Sequence, residues 1–171
     1  MTVAFTGRRP HGLPWGYDES SEKALAFRSD LSSLIRELAE SHGADTFYTG
    51  MAEGIDMMAA EAVLDLRCEH SRIRLLCALP FDGQSRRWSD AQRARYNSIL
   101  SASDGVHCLS PVYTPSCMML RNIYMVDHSD ALAAVWDGKM SGGTFNTYSY
   151  AVKQGKRVVV LDPYTLRQLW R

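Results

Sequence analysis

The stretch Thr49–Leu66, TGMAEGIDMMAAEAVLDL, decides the fold. It follows a strand-like lead-in, Asp45–Tyr48. Gly50 and Gly54 then precede a run in which Ile55, Met58, Ala59, Ala62, Val63 and Leu66 recur at helical spacing. Glycine before a helix lets the backbone come close to a ligand, and the unpaired amides of the first helical turn favour anions. The same glycines also make a tight strand-to-helix turn that holds nothing. The rest of the chain bears on the choice.

Strand and helix patterns alternate on both sides of this stretch. Strands are expected at Thr2–Thr6, Asp45–Tyr48, Ile73–Leu79, Gly105–Leu109, Ala131–Trp136 and Arg157–Leu161. A helix from Glu19 to Ser41 carries Ala24, Phe27, Leu31, Leu34 and Leu38 on one stripe and stops at Gly43. Further helices are expected after Gly54 and over Ser85–Leu100, Ser116–His128 and Thr144–Gln154. This order predicts an α/β fold: a doubly wound, mostly parallel sheet of about six strands with helices on both faces. With no repeat or linker, residues 1–171 read as one domain.

Composition excludes several functions. Lys+Arg and Asp+Glu both number 19, so the cation surplus of a nonspecific nucleic-acid binder is missing. Cys68, Cys77, Cys108 and Cys117 show neither C-x-x-C spacing nor a partnering histidine pair, so no metal site or disulfide framework is expected. No segment is apolar enough to span a bilayer and no signal peptide precedes the first strand, which predicts a cytoplasmic protein.

In open parallel sheets ligands bind outside the carboxyl ends of the strands. That rule selects the loops Gly7–Tyr17, Gly50–Gly54, Pro80–Gln84, Ser110–Pro115 and Asp137–Gly143. Gly7 and Gly12 have P-loop spacing, but Leu13 and Pro14 replace the required Lys and Ser/Thr, and G-x-G-x-x-G is absent. What remains is two glycine turns, GMAEGID and DGKMSGGT, the second with Gly142 and Gly143 before a helix and Thr144 placed to cap it or bond a phosphate.

Here the chain resembles the SLOG superfamily of Rossmann-like proteins, most closely its bacterial YpsA-like branch. The resemblance rests on FTGRRP, TGMAEGIDMMAAEAVLDL, LPFDGQSRRW, YNSILSASD, RNIYMVDHSDALAAVWDG and SGGT…AVKQGKRVVVLDP, in order along nearly the whole chain. The DNA-processing protein DprA has a turn similar to Thr49–Asp56, and the Lonely Guy (LOG) phosphoribohydrolases have one similar to Ser141–Ser149. The resemblance implies a site for a nucleotide or nucleotide-derived ligand, such as ADP-ribose, NAD or a nucleoside monophosphate, in a homo-oligomer. Ser149 stands where LOG enzymes place a glutamate, and Phe145–Asn146 replaces their second glycine–threonine pair, which argues against LOG-type hydrolysis.

The ligand-binding residues expected are Thr6, Gly7, Arg8, Gly50, Gly54, Asp56, Pro80, Gln84, Asp137, Gly142, Gly143 and Thr144. Arg8 and Arg9 suit phosphate oxygens. Glu53 and Asp56 either offset the helix dipole, accept ribose hydroxyls, or supply a general base. Trp88 either stacks a base or packs in the core. Arg121 and Asn122 reach the crevice or bind the neighbouring sheet, and His11 is the one histidine in a site loop. The reading is a sensor or binding module. The alternatives are a hydrolase of the ligand's glycosidic or phosphate bond, a DprA-like single-strand DNA binder, and a partner-binding regulator with a vestigial pocket.

Overall fold

The computed structural model describes residues 1–171. Its strands are β1 (Thr2–Gly7), β2 (Thr46–Thr49), β3 (Arg74–Leu79), β4 (Gly105–Cys108), β5 (Ala131–Val135), β6 (Arg157–Leu161) and β7 (Gln168–Trp170). The helices are α1 (Glu22–Glu40), α2 (Ile55–Glu69), α3 (Asp90–Ala102), α4 (Cys117–Asp127) and α5 (Gly142–Lys153). One sheet runs in the order β4-β3-β2-β1-β5-β6-β7. All neighbours are parallel except β7, which pairs antiparallel with β6 through Val160↔Leu169. The fold is α/β and Rossmann-like, as expected.

The connection rule explains the layers. Crossovers between parallel strands are right-handed. From β1 to β4 the chain steps outward in one direction, so α1, α2 and α3 share a face. After β4 it returns past β1 to β5 and continues to β6, so α4 and α5 cover the other face. Strand alternation sorts the side chains accordingly. Val3, Phe5, Phe47 and Leu75 join the core under α1–α3, and Ala4, Ala78, Leu132 and Ala134 meet α4 and α5. Phe5 and Phe47 stack across adjacent strands with centroids 5.8 Å apart.

Three local differences from the sequence reading have physical causes. There are seven strands rather than six, because β7 is only three residues long and carries no readable period. The Asp162 side chain accepts from the amides of Tyr164 and Thr165 and turns the chain back onto β6. The third helix starts at Asp90 rather than Ser85, since the Ser89 side chain accepts from the Gln92 amide and caps it there. Trp88 therefore lies in the preceding turn, partly buried and edge-on to Tyr96 at 5.3 Å, so it packs as core. The first helix likewise begins at Glu22, capped by Ser21.

Outside the core, Arg95 of α3 bonds both Glu61 of α2 (2.6 Å) and Glu19 before α1 (2.9 Å), tying the three helices of one layer together. No helix is long and apolar enough to cross a membrane. Because Phe47 is wholly buried against Phe5, Phe47→Ala is expected to lower unfolding stability by about 3–5 kcal/mol in a denaturant titration.

Candidate functional site

The strand order reverses between β1 and β5, and their carboxyl ends diverge into the loops Arg8–Tyr17 and Trp136–Ser141. A crevice of about 460 Å³ opens at this switch point. Thr6, Gly7, Arg8, Arg9 and His11 line it from the β1 side, Ala52 and Asp56 from the start of α2, Met118, Arg121 and Asn122 from α4, and Gly142, Gly143 and Thr144 from α5. Seven of the residues expected to bind ligand are brought together: Thr6, Gly7, Arg8, Asp56, Gly142, Gly143 and Thr144.

The floor is a buried polar chain running across three helices. Arg121 is 4% exposed and Asp56 6%. Arg121 Nη1 lies 3.6 Å from Asp56 Oδ2 and donates to the Gly50 carbonyl, while Nε donates to Asn122 Oδ1 at 2.8 Å. Asn122 Nδ2 donates to Thr147 Oγ1 at 2.8 Å, and that hydroxyl donates to the Gly143 carbonyl at 2.8 Å. Burial pushes the Asp56 carboxyl above its ordinary pKa, opposed by Arg121 and by the Ala52 amide at 3.2 Å. Burial also lowers Arg121 from its ordinary value, with Asp56 opposing.

One wall is an ion pair rather than a free cation. Arg8 Nη2 donates to Asp137 Oδ1 at 2.6 Å, joining the loop after β1 to the loop after β5. Burial raises the Asp137 carboxyl, but the bonds from Arg8 and from the Lys139 amide outweigh it, and the net shift is downward. Asp137 thus ties the second glycine loop to the loop after β1. Arg9 remains exposed at the mouth.

The first glycine turn is occupied by its own side chains. Thr49 Oγ1 accepts from the Met51 amide and donates to the Asp56 carbonyl, and the Ala52 amide is held by the Asp56 carboxylate. Gly50 carries no Cβ because the Arg121 guanidinium fills that space. Gly54 has φ +92°, and a Cβ there would lie 2.8 Å from the Arg8 carbonyl, so the turn docks on the β1 loop. Gly50 and Gly54 therefore seat Arg121 and the β1 loop instead of lining the crevice. Gln84 is buried beneath them, donating to the Met51 carbonyl at 2.5 Å. Pro80 faces a separate hollow beside β4, with His107, Tyr124 and His128. Glu53 is half-buried outside the crevice lining, and its carboxyl is raised by burial against the opposing charge of Arg9.

The second glycine turn is open. Ser141 makes no side-chain cap at the start of α5, and apart from the chain neighbours and the helix's own backbone nothing lies within 4 Å of where a Cβ would stand on Gly142 or Gly143. The first-turn amides of α5 thus face the crevice without a side-chain partner at the N-cap. Sequence left two places open to Arg121 and Asn122, the crevice or the neighbouring sheet; both residues line the crevice, and Arg121 forms its floor. Its signal was a cation at the buried spacing Cys117, Arg121, Met125 of α4, each four residues from the next.

The YspA SLOG family model matches residues 3–167. The SPbeta prophage-derived protein YoqJ of Bacillus subtilis is 33% identical over 86% of this chain and 87% of its own. The UPF0398 protein BH1768 of Halalkalibacterium halodurans is 31% identical over 96% of this chain and 85% of its own. The UPF0398 protein RBAM_020340 of Bacillus velezensis is 25% identical over 96% and 88%.

Removing Arg121 leaves a buried carboxylate without its partner. Arg121→Met is expected to cost about 3–5 kcal/mol at pH 8, and Asp56→Asn in the same chain to recover part of it. Asp56 has a folded-state pKa above its unfolded value, so the charge penalty is complete above the folded pKa and is relieved as pH falls toward the unfolded one. Denaturation at pH 8 and pH 5 should therefore show a smaller loss for Arg121→Met at the lower pH.

Proposed function

The chain belongs to the YspA SLOG family, and from that premise we propose that it binds a nucleotide or nucleotide-derived ligand in the crevice and acts as a sensor or regulatory module. One observation carries the reading: the uncapped first turn of α5, Gly142–Thr144, opens onto a crevice whose floor holds the buried Arg121 guanidinium. Backbone amides at a helix start and a cation lining the same crevice are elements of a phosphate site. In this reading the phosphate sits at Gly142–Thr144 between Arg121 and the exposed Arg9. Asp56 orients Arg121, and the Arg8–Asp137 pair fixes the loop that presents the glycines.

A second reading, hydrolysis of the ligand's glycosidic or phosphate bond, has one observation in its favour. The Asp56 carboxyl lines the crevice with its pKa raised by burial, the condition a general acid or base requires.

Thermal unfolding across AMP, ADP, ATP, ADP-ribose, NAD and cytokinin nucleotides tests both. A ligand at one hundred times its dissociation constant adds about 2.7 kcal/mol, a rise of roughly 5–10 °C for a chain of this size. Gly143→Asp is expected to abolish that rise while leaving the ligand-free protein as stable or slightly more so. Its carboxylate has room, complements the helix dipole and repels the phosphate. NMR of the same mixtures over time should show no product peaks. Product that disappears in Asp56→Asn would establish the hydrolase instead, and no shift with any nucleotide would overturn the binding reading.

A further inference from the structure

We infer that the groove between α4 and α5 receives the base of an adenine nucleotide whose phosphate lies at the start of α5. The inference rests on the nucleotide reading above and extends it to the class of base. The groove encloses about 310 Å³ and is walled by Pro115, Met118, Met119, Ile123, Asn146 and Tyr150. It shares Met118, Asn122 and Gly143 with the crevice, so the two hollows are continuous.

Helix geometry sets the reach. Gly143, Asn146, Thr147 and Tyr150 are spaced three and four residues apart and form one stripe along α5. From Gly143 to Tyr150 the helix rises about 10 Å, so a ligand anchored at the first turn extends along this stripe. Gly143 has no side chain at the junction, and the space where a Cβ would stand is open.

The chemistry of the walls selects the occupant. Most of the groove's polar side chains are already engaged: Asn122 with Thr147, Thr147 with the Gly143 carbonyl, and Tyr150 with Asp127 at 2.8 Å. The exposed Asn146 amide makes no hydrogen bond within the chain. An amide presents one acceptor beside one donor, the complement of adenine's N6 amino group and N7. Guanine offers two acceptors at the same edge, which suits a cation instead. The Met119 thioether is a soft, polarizable partner for a flat aromatic ring, and so is that of Met118, whose sulfur accepts from Arg9 Nη2 at 3.9 Å on the crevice side. A phosphorylated sugar alone has no use for such walls.

Calorimetric titration of the full chain with AMP, GMP and ribose 5-phosphate tests this, with methionine methyl NMR as a second readout. AMP should bind roughly ten-fold or more tighter than GMP and ribose 5-phosphate, and should shift the Met118 and Met119 methyl resonances where ribose 5-phosphate does not. Asn146→Ala, an exposed position, should bring AMP affinity toward that of ribose 5-phosphate without changing the latter. Equal binding of AMP and ribose 5-phosphate with still methyl signals would overturn the base site while leaving the phosphate site standing. GMP binding as tightly as AMP, or AMP binding unaffected by Asn146→Ala, would overturn the adenine assignment. Failure of all three ligands to bind would overturn this inference, while the nucleotide reading is overturned only if the thermal-unfolding series above also shows no shift with any nucleotide.

Discussion

The buried pair of Asp56 and Arg121 is the constraint around which the crevice is organised. Two charges out of water are each expensive, and they persist only when geometry and additional hydrogen bonds satisfy them. Here the satisfaction comes from three groups on two chain segments. The Ala52 amide serves the carboxylate, the Gly50 carbonyl and Asn122 serve the guanidinium, and the pair joins the start of α2 to the middle of α4. Asn122 then carries the connection through Thr147 to the first turn of α5. A side chain larger than hydrogen at Gly50 would occupy the place of the guanidinium, so the glycine belongs to this pair as much as the two charges do.

Topology places that pair at the switch point of the sheet. Outward winding from β1 to β4, followed by a return to β5, leaves a gap between the loops that follow β1 and β5. The Arg8–Asp137 ion pair spans the gap at one wall, and the uncapped start of α5 faces it from another. The two glycine turns therefore differ in their surroundings. The turn before α2 has its amides taken by Thr49 and Asp56 and serves as a socket for Arg121. The turn before α5 keeps open space and lines the crevice. The apolar groove between α4 and α5 prolongs the crevice away from these charges.

Much of this was legible in the sequence, and the exceptions share a cause. Alternating strands and helices, the stripe Ala24–Leu38 and the glycine stop at Gly43 report local periodicity and turn chemistry, and the elements formed within a few residues of their expected bounds. Helix starts at Glu22 and Asp90 were displaced because side-chain caps at Ser21 and Ser89 prevailed over the apolar pattern. Strand β7 was invisible because three residues carry no period and their pairing partner lies on β6. Thr6, Gly7, Arg8, Asp56 and Gly142–Thr144 could be assigned to one crevice from strand-end position alone.

Sequence by itself determined the fold class, the family and the set of loops that meet at the switch point, since each follows from near-neighbour spacing and from motifs kept in order. Tertiary structure alone decided which members of those loops face the crevice. Gln84 and Gly50 turned inward to support Arg121, Asp137 became the partner of Arg8, Pro80 fell into another hollow, and Asn146 was left without a partner beside an apolar groove. The physical reason is range. Helix periods and glycine turns are set within a few residues, whereas Arg121 reaches Asp56 and Gly50 across more than sixty positions of chain, and only packing of α4 against the sheet face brings them into contact.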